Sequence, residues 1–248
     1  MTALPAHARF DRLDALRGAA MVWMAAFHLS FDLNHFGLLM PAQDFYRDPF
    51  WTGQRTAIVS LFLLCAGAGQ AIALAQAQPA ARFWRRWAQV AGAALLVSVG
   101  SWLMFPHSWI SFGVLHGIAL MLIVARAVAP AGRWVVWPLA ALALLLPWLV
   151  QHPWFDTRAT NWIGLVTHKP VTEDYVPLLP WLGVLLWGLA VTQWLLARRG
   201  AVLAGPLPRA LAPLAALGRW PLTFYLVHQP VLIGAVWAFG VLTSRVGT

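Results

Sequence analysis

The chain has 248 residues, of which 60% are hydrophobic and only 10% are charged, and its formal net charge at pH 7 is +9. A soluble domain carries about a quarter charged residues, so this composition excludes an ordinary soluble protein and indicates an integral membrane protein. The basic residues are spread over short segments between apolar runs and form no single patch, which argues against a nucleic-acid partner.

Seven apolar runs are each long enough to cross a hydrocarbon core of about 30 Å. The N-terminal segment lacks an apolar core followed by a small-residue cleavage site, so the first run is expected to be a retained helix. The sequence therefore predicts an all-α, polytopic transmembrane helix bundle of about seven spans, with residues 1–248 forming a single domain. In chain order the runs are 13–37, 53–76, 87–105, 109–127, 134–151, 176–197 and 220–243.

Basic residues in the loops predict the orientation of the bundle, because cytoplasmic loops carry an excess of Lys and Arg. If the N-terminus is inside, the outer segments hold Arg47, Arg158, Lys169 and Arg245. The inner segments then hold a much larger set, so we expect a cytoplasmic N-terminus and an outer C-terminus. The inner set is Arg9, Arg12, Arg82, Arg85, Arg86, Arg126, Arg133, Arg198, Arg199, Arg209 and Arg219.

The first run carries ionisable side chains on one face. At about 100° per residue, Asp14, Arg17, His28, Asp32 and His35 fall within about 60° of one another. Such groups cost several kcal/mol at bilayer depth, so they are expected to face the bundle interior or a wet cavity. Asp32 lies one turn beyond His28, a spacing at which a carboxylate accepts from one imidazole nitrogen and leaves the other free as a base.

Histidines on two later runs are further candidates: His116 in SFGVLHGIAL and His228 in LTFYLVHQPVLIG. Each histidine alone fits a packed, hydrogen-bonded role. Together with His28 they predict one polar cavity, lined by Arg17, His28, Asp32, His116 and His228. No HxxxH or HExxH spacing occurs, so we expect no metal site.

The segment RFWRRW at 82–87 contains Arg85 and Arg86 and has two interpretations. Its arginines mark the cytoplasmic side of the membrane, or they form a rim for a polyphosphate ligand, since guanidinium groups match phosphate geometry. The chain has no Gly-rich phosphate loop of the Walker or Rossmann type and no GxSxG elbow.

Four short segments carry a resemblance to a known family. RLDALRGAAMVWMAAFH resembles the opening of the transmembrane acyltransferase superfamily, in which an Arg, ten intervening residues and a His lie on the first helix. FGVLHGI at 112–118, PLLPWLG at 177–183 and LTFYLVHQPVL at 222–232 narrow it to small bacterial relatives of the heparan-alpha-glucosaminide N-acetyltransferase catalytic domain. The resemblance spans nearly the whole chain.

The resemblance implies a reaction and a location. An acyl group, expected to be acetyl, would pass from cytosolic acyl-CoA to an amine or hydroxyl of a sugar or glycan on or across the membrane. Acetyl-CoA would be the donor substrate, and the lipid bilayer of a bacterial inner membrane would surround the protein.

The same resemblance suggests roles for individual residues. The wider superfamily points to His28 as the catalytic histidine, whereas the lysosomal members point to a position just beyond the first helix, where the nearest match is His35. We expect His28 to act as general base, Asp32 to orient it, and Arg17 to hold the CoA arm or the developing oxyanion. A covalent acyl-histidine intermediate stays open. Further contacts with acyl-CoA or the acceptor are expected from His116, His228, Arg85 and Arg86.

Two other classes of function are compatible with the sequence. A transporter or proton-coupled carrier could use the polar face of the first helix as a relay. The chain lacks an internal inverted repeat and lacks Gly/Pro-broken runs in matching positions, which argues against this class. A structural partner in a membrane complex is the third possibility. Release of CoA with candidate sugars would distinguish the acyltransferase from both.

Overall fold

The computed structural model describes residues 9–246, and the regular secondary structure of this part of the chain is helical throughout. Residues 1–8, whose cytoplasmic location the charge pattern predicts, lie outside the described residues. The α-helices are α1 (Asp11–His35), α2 (Pro49–Ala75), α3 (Ala80–Met104), α4 (Val114–Val128), α5 (Arg133–Leu149), α6 (Leu178–Arg198), α7 (Gly200–Ala204), α8 (Ala212–Leu217) and α9 (Pro221–Val246).

Within residues 9–246, five helical segments are long and apolar enough to cross a membrane. They are Pro49–Ala75, Ala80–Met104, Val114–Ala131, Leu178–Arg198 and Pro221–Gly240. The all-helical fold and the membrane class are thus confirmed. Of the other two predicted spans, α1 contains the polar residues described above, and α5 has only 17 residues, or about 26 Å at 1.5 Å per residue. That both also cross the membrane stays a prediction.

The start of α4 differs from the predicted start of its run. The apolar pattern begins at residue 109, but the helix begins at Val114. The backbone N–H of Val114 donates to Asp174 Oδ2 over 2.6 Å, and the backbone N–H of Gly113 donates to His116 Nδ1 over 3.3 Å. A carboxylate at a helix N-terminus satisfies a free N–H group and interacts favourably with the helix dipole. A residue distant in sequence thus sets this boundary.

The chain divides into two compact units. Among the described residues, the first unit comprises residues 9–10 and 62–206, and the second comprises residues 11–61 and 207–246. In the first unit, α5 packs along α6, and α4 packs on both α3 and α6. Gly67 and Gly188 let the end of α2 approach α6 closely, because a Cβ at either position would overlap backbone atoms of the other helix.

In the second unit, α1 packs against α8 and α9. Gly18 lies against the backbone of Leu214 in α8, where a Cβ would overlap the Leu214 carbonyl. Met21 and Met24 are buried on the packed side of α1. The close approach at Gly18 therefore holds α1 beside the turn from which α9 begins. Helices α1 and α9 together carry most of the predicted site residues.

Candidate active site

His28 of α1 and His228 of α9 lie in ring contact in the second unit. Their ring centroids are 5.2 Å apart and the ring planes are inclined by 59°. Phe27 packs edge-on against His28, at 5.8 Å between centroids, and Phe224 stacks parallel to His228 at 5.6 Å. The structure thus brings together two of the three histidines that the sequence predicts to share a cavity.

The tautomer of His228 follows from its hydrogen bonds. Nδ1 lies 2.8 Å from the carbonyl oxygen of Tyr225 and 3.2 Å from that of Phe224. Because a carbonyl only accepts, Nδ1 carries the proton, and in a neutral imidazole Nε2 is then an acceptor alone. Nε2 is buried and has no hydrogen-bond partner among the described residues. His228 therefore presents a buried lone pair.

Asp32 is bound by a residue that the sequence reasoning missed. The residue is only 4% exposed, and both of its carboxylate oxygens accept from Gln229 Nε2, at 3.0 Å and 3.2 Å. The predicted partner was His28, one turn away on the same helix. The amide oxygen of Gln229 is buried without a partner in the described part of the chain. A glutamine inside an apolar span was the signal that could have indicated such a pair, since a polar group there needs a partner.

Arg17 lies at the other end of the polar face of α1. Its guanidinium donates to Asp14 over 2.8 Å and to the carbonyl of Gly218, the residue that follows α8, over 3.1 Å. A second ion pair, from Arg219 to Asp11 at 3.1 Å, also joins the start of α1 to the turn after α8. His28 is eleven residues along α1, or about 16 Å at 1.5 Å per residue. Arg17 and His28 thus lie on the same face of α1 but too far apart along the helix to contact each other.

His35 is exposed at the end of α1, where it lines a cavity of about 400 Å³. Phe31 stacks on the His35 ring at 6.4 Å between centroids. The side-chain amide of Asn34 clamps the backbone of Gln43 through two hydrogen bonds, of 3.0 Å and 2.7 Å, and so fixes the loop that forms the cavity wall. The other lining residues are Ala42, Asp44, Phe45 and Tyr46.

His116 belongs to the first unit, where both of its ring nitrogens have partners. Nδ1 accepts from the backbone N–H of Gly113 over 3.3 Å, so the proton is on Nε2, which lies 3.0 Å from Ser98 Oγ. The Ser98 hydroxyl donates in turn to the carbonyl of Ile110 over 2.6 Å. This arrangement ties the first turn of α4 to α3 and leaves neither nitrogen of His116 free.

Arg85 and Arg86 lie on the first turns of α3 in the first unit and are both exposed. Arg126, in the last turn of α4, places its guanidinium 4.9 Å from the ring centroid of Phe83. This cation–π contact brings a further arginine to the end of α3 that carries Arg85 and Arg86. The sequence analysis had used Arg126 only as one of the basic residues that predict the orientation of the bundle.

The long connection between α5 and α6 is ordered by its own hydrogen bonds. Asp156 accepts from the backbone N–H and the hydroxyl of Thr167, at 2.8 Å and 2.6 Å, and these bonds hold the pKa of its carboxyl below the ordinary value. Burial raises the pKa of Tyr175, whose hydroxyl donates to the carbonyl of Asn161 over 2.7 Å. This connection is therefore a folded element of the first unit.

Within residues 9–246, no three His, Cys, Asp or Glu side chains are grouped so that they could hold a metal ion. Comparison with protein families finds one that covers most of the chain. The model of the heparan-alpha-glucosaminide N-acetyltransferase catalytic family matches residues 9–230, which include residues of both units and every candidate site residue named above. No curated protein and no solved structure matches the chain.

Proposed function

Because the chain belongs to the heparan-alpha-glucosaminide N-acetyltransferase catalytic family, we propose that it is a membrane-embedded enzyme that transfers an acyl group. The donor is acetyl-CoA from the cytosol, and the acceptor is an amine or hydroxyl of a sugar or glycan on or across the membrane. The observation that carries the proposal is the contact between His28 and His228 on two packed helices. Titratable side chains in contact within a membrane protein are functional candidates.

In the proposed reaction His28 is the general base. The acceptor oxygen or nitrogen attacks the thioester carbonyl, a C–O or C–N bond forms, and the C–S bond breaks. The acceptor proton passes to a ring nitrogen of His28 and then to the thiolate sulfur of CoA. A positioned base of this kind contributes roughly 10²–10⁴-fold to the rate. Asp32 supports the base indirectly, since its bond to Gln229 fixes α9 beside α1.

Arginine side chains are proposed to hold the phosphates of the donor. The exposed Arg85 and Arg86, with Arg126 at the same end of α3, offer guanidinium groups that match phosphate oxygens. Arg17 is a second candidate for the CoA arm, although one of its nitrogens already donates to Asp14 and Gly218. His116 contributes by fixing the start of α4.

We place the protein in a bacterial inner membrane, with the N-terminus in the cytoplasm. In this arrangement α1 and α5 cross the bilayer together with the five apolar segments, which gives seven spans. The support is the arginine bias of the predicted inner segments. The polar face of α1 is compatible with crossing because α8 and α9 pack against it.

The test is release of CoA by the purified protein in lipid nanodiscs, supplied with acetyl-CoA and a panel of amino sugars and neutral sugars. We expect His28→Ala to lower kcat/KM by about 10²–10⁴-fold with little change in acetyl-CoA binding, because a base acts on the transition state. His107→Ala, in an exposed turn after α3, is the matched histidine control and should keep full activity.

His35→Ala decides between the two α1 histidines. We expect it to retain turnover, since His35 is exposed and lies about 10 Å along the helix from His28 at 1.5 Å per residue. Loss of turnover in His35→Ala, with activity kept in His28→Ala, would move the reaction to the cavity at the end of α1. Full activity in both variants would rule out a histidine base on this helix, and no CoA release by the unaltered protein with any acceptor would contradict the proposed function.

A further inference from the structure

The starting point is the buried, unpaired Nε2 of His228. Buried polar atoms almost always have a hydrogen-bond partner, so an acceptor without one indicates a donor that approaches in another state of the site. The ring cannot simply turn over to satisfy Nε2, because the carbonyl of Tyr225 holds Nδ1–H and Phe224 stacks on the ring face. The ring orientation of His228 is thus fixed, and its Nε2 is available as a hydrogen-bond acceptor.

The imidazole of His28 is placed to be that donor. The two ring centroids are 5.2 Å apart, which is the separation of two imidazoles joined by one N–H···N bond of about 2.9 Å plus the two ring radii. Because Nε2 of His228 has no partner among residues 9–246, the bond requires a change in the side-chain torsions of His28. Asp32, which the sequence predicted as the partner of His28, already accepts twice from Gln229.

We propose that His228 is a positioning residue for His28: its Nε2 accepts the N–H of His28 and so fixes the tautomer in which the other nitrogen of His28 is free. This inference rests on the proposed function, in which His28 is the base. When His28 takes the acceptor proton it becomes an imidazolium, and its bond to Nε2 becomes charge-assisted and stronger. His228 keeps its own proton on Nδ1 throughout, and the acceptor proton goes on to the sulfur of CoA.

Two substitutions of His228 separate the functions of its nitrogens. In His228→Gln the amide oxygen reaches the position of Nε2 and keeps an acceptor for His28. In His228→Asn the amide nitrogen reaches the position of Nδ1 and keeps the donor to Tyr225, but the acceptor is lost. Val227→Ala, at a neighbouring α9 position that is 50% exposed, is the control.

We expect His228→Gln to retain kcat within about tenfold of the unaltered protein. His228→Asn should lose roughly 10²-fold in kcat with an unchanged KM for acetyl-CoA; loss of the hydrogen-bond partner of a metal-bound histidine costs about 10–100-fold, and we expect an effect of that order for this partner. A role in packing alone predicts the opposite order, because Asn preserves the observed hydrogen bond. Equal and complete loss in both variants would make His228 itself the proton acceptor and overturn the proposal.

A second measurement does not depend on activity. Nitrogen-15 spectra of histidine-labelled protein in nanodiscs, assigned with the His28 and His228 variants, should show His228 neutral with its proton on Nδ1. The N–H signal of His28 should shift in His228→Asn and return in His228→Gln. A proton on Nε2 of His228, or a His28 signal indifferent to both substitutions, would refute the inference. Absence of CoA release with these spectra as expected would instead refute the proposed function alone.

Discussion

The bond between Asp32 and Gln229 gives a prediction about stability that does not depend on the reaction. Gln229→Leu removes the donor while leaving the Asp32 carboxylate in a position where only 4% of the residue is exposed. Hydrogen bonds to charged groups contribute about 1.5–3 kcal/mol, and a buried group left without its partner keeps its full desolvation cost. We expect the free energy of unfolding to fall by about 2–3 kcal/mol.

Replacing both partners should cost less than replacing Gln229 alone. In Asp32→Leu/Gln229→Leu no carboxylate remains to be desolvated, and exchange of both members of a buried polar pair for apolar groups of similar shape can be nearly neutral. The double-mutant cycle should therefore give a coupling energy of about 1–3 kcal/mol. Val231→Ala, at a position of α9 that is 59% exposed, should change stability by less than about 0.5 kcal/mol.

Thermal unfolding in nanodiscs, followed by the fluorescence of the 16 tryptophans at one scan rate, measures these changes. For a chain of this size each kcal/mol shifts Tm by about 2–4 °C, so Gln229→Leu should lower Tm by about 4–12 °C. An unchanged Tm in Gln229→Leu would refute the pairing. So would a double variant no more stable than Gln229→Leu, since the penalty could not then come from the unpaired Asp32.

Two further predictions concern packing and topology. Gly18→Ala should lower the free energy of unfolding by about 1–3 kcal/mol, because the added Cβ would overlap the Leu214 carbonyl. Gly53→Ala, in an open part of α2, is the control and should raise the free energy of unfolding by up to about 1 kcal/mol. Equal shifts in Tm for the two variants would contradict the close approach at Gly18. Reporter fusions after residues 45, 80, 107, 130, 165 and 205 should alternate outside and inside, beginning outside, since the arginine bias predicts seven spans. Fusions at 130 and 165 on the same side would show that α5 does not cross.

The long helices could be predicted from sequence, but not all of their boundaries: α3 begins at Ala80 where residue 87 was predicted, and α4 begins at Val114 where residue 109 was predicted. The predicted first run, 13–37, became Asp11–His35, because its length is set by a continuous apolar pattern. The predicted start at residue 109 failed because the segment before α4 is as apolar as the helix itself. Asp174 and His116 fix the true start through hydrogen bonds to backbone groups. Hydropathy carries no information about such bonds.

The polar face of α1 was predictable as a face, whereas its pairings were not. Spacing along one helix shows which residues point the same way but not which neighbour packs there. The interval of four residues between His28 and Asp32 favoured a bond between them. In the structure each residue meets a side chain of α9 instead: His28 contacts His228, and Asp32 accepts from the adjacent Gln229. Which residues of α9 contact His28 and Asp32 depends on how α1 and α9 are aligned along each other. The residue pattern within one helix does not determine that alignment.

His116 and His228 differ in whether their ring nitrogens have hydrogen-bond partners. This difference separates their roles more clearly than their depth in the predicted spans does. His116 uses both ring nitrogens to hold α4 against α3, the arrangement of a structural residue. His228 uses one, and leaves the other buried and unpaired next to Gln229, whose amide oxygen is unpaired as well. Two adjacent residues with unmet acceptors cost stability unless a donor meets them in the working state. His228, together with His28, is therefore where substitutions should alter the reaction most, whereas Gln229 also holds the buried Asp32 and so contributes to the fold.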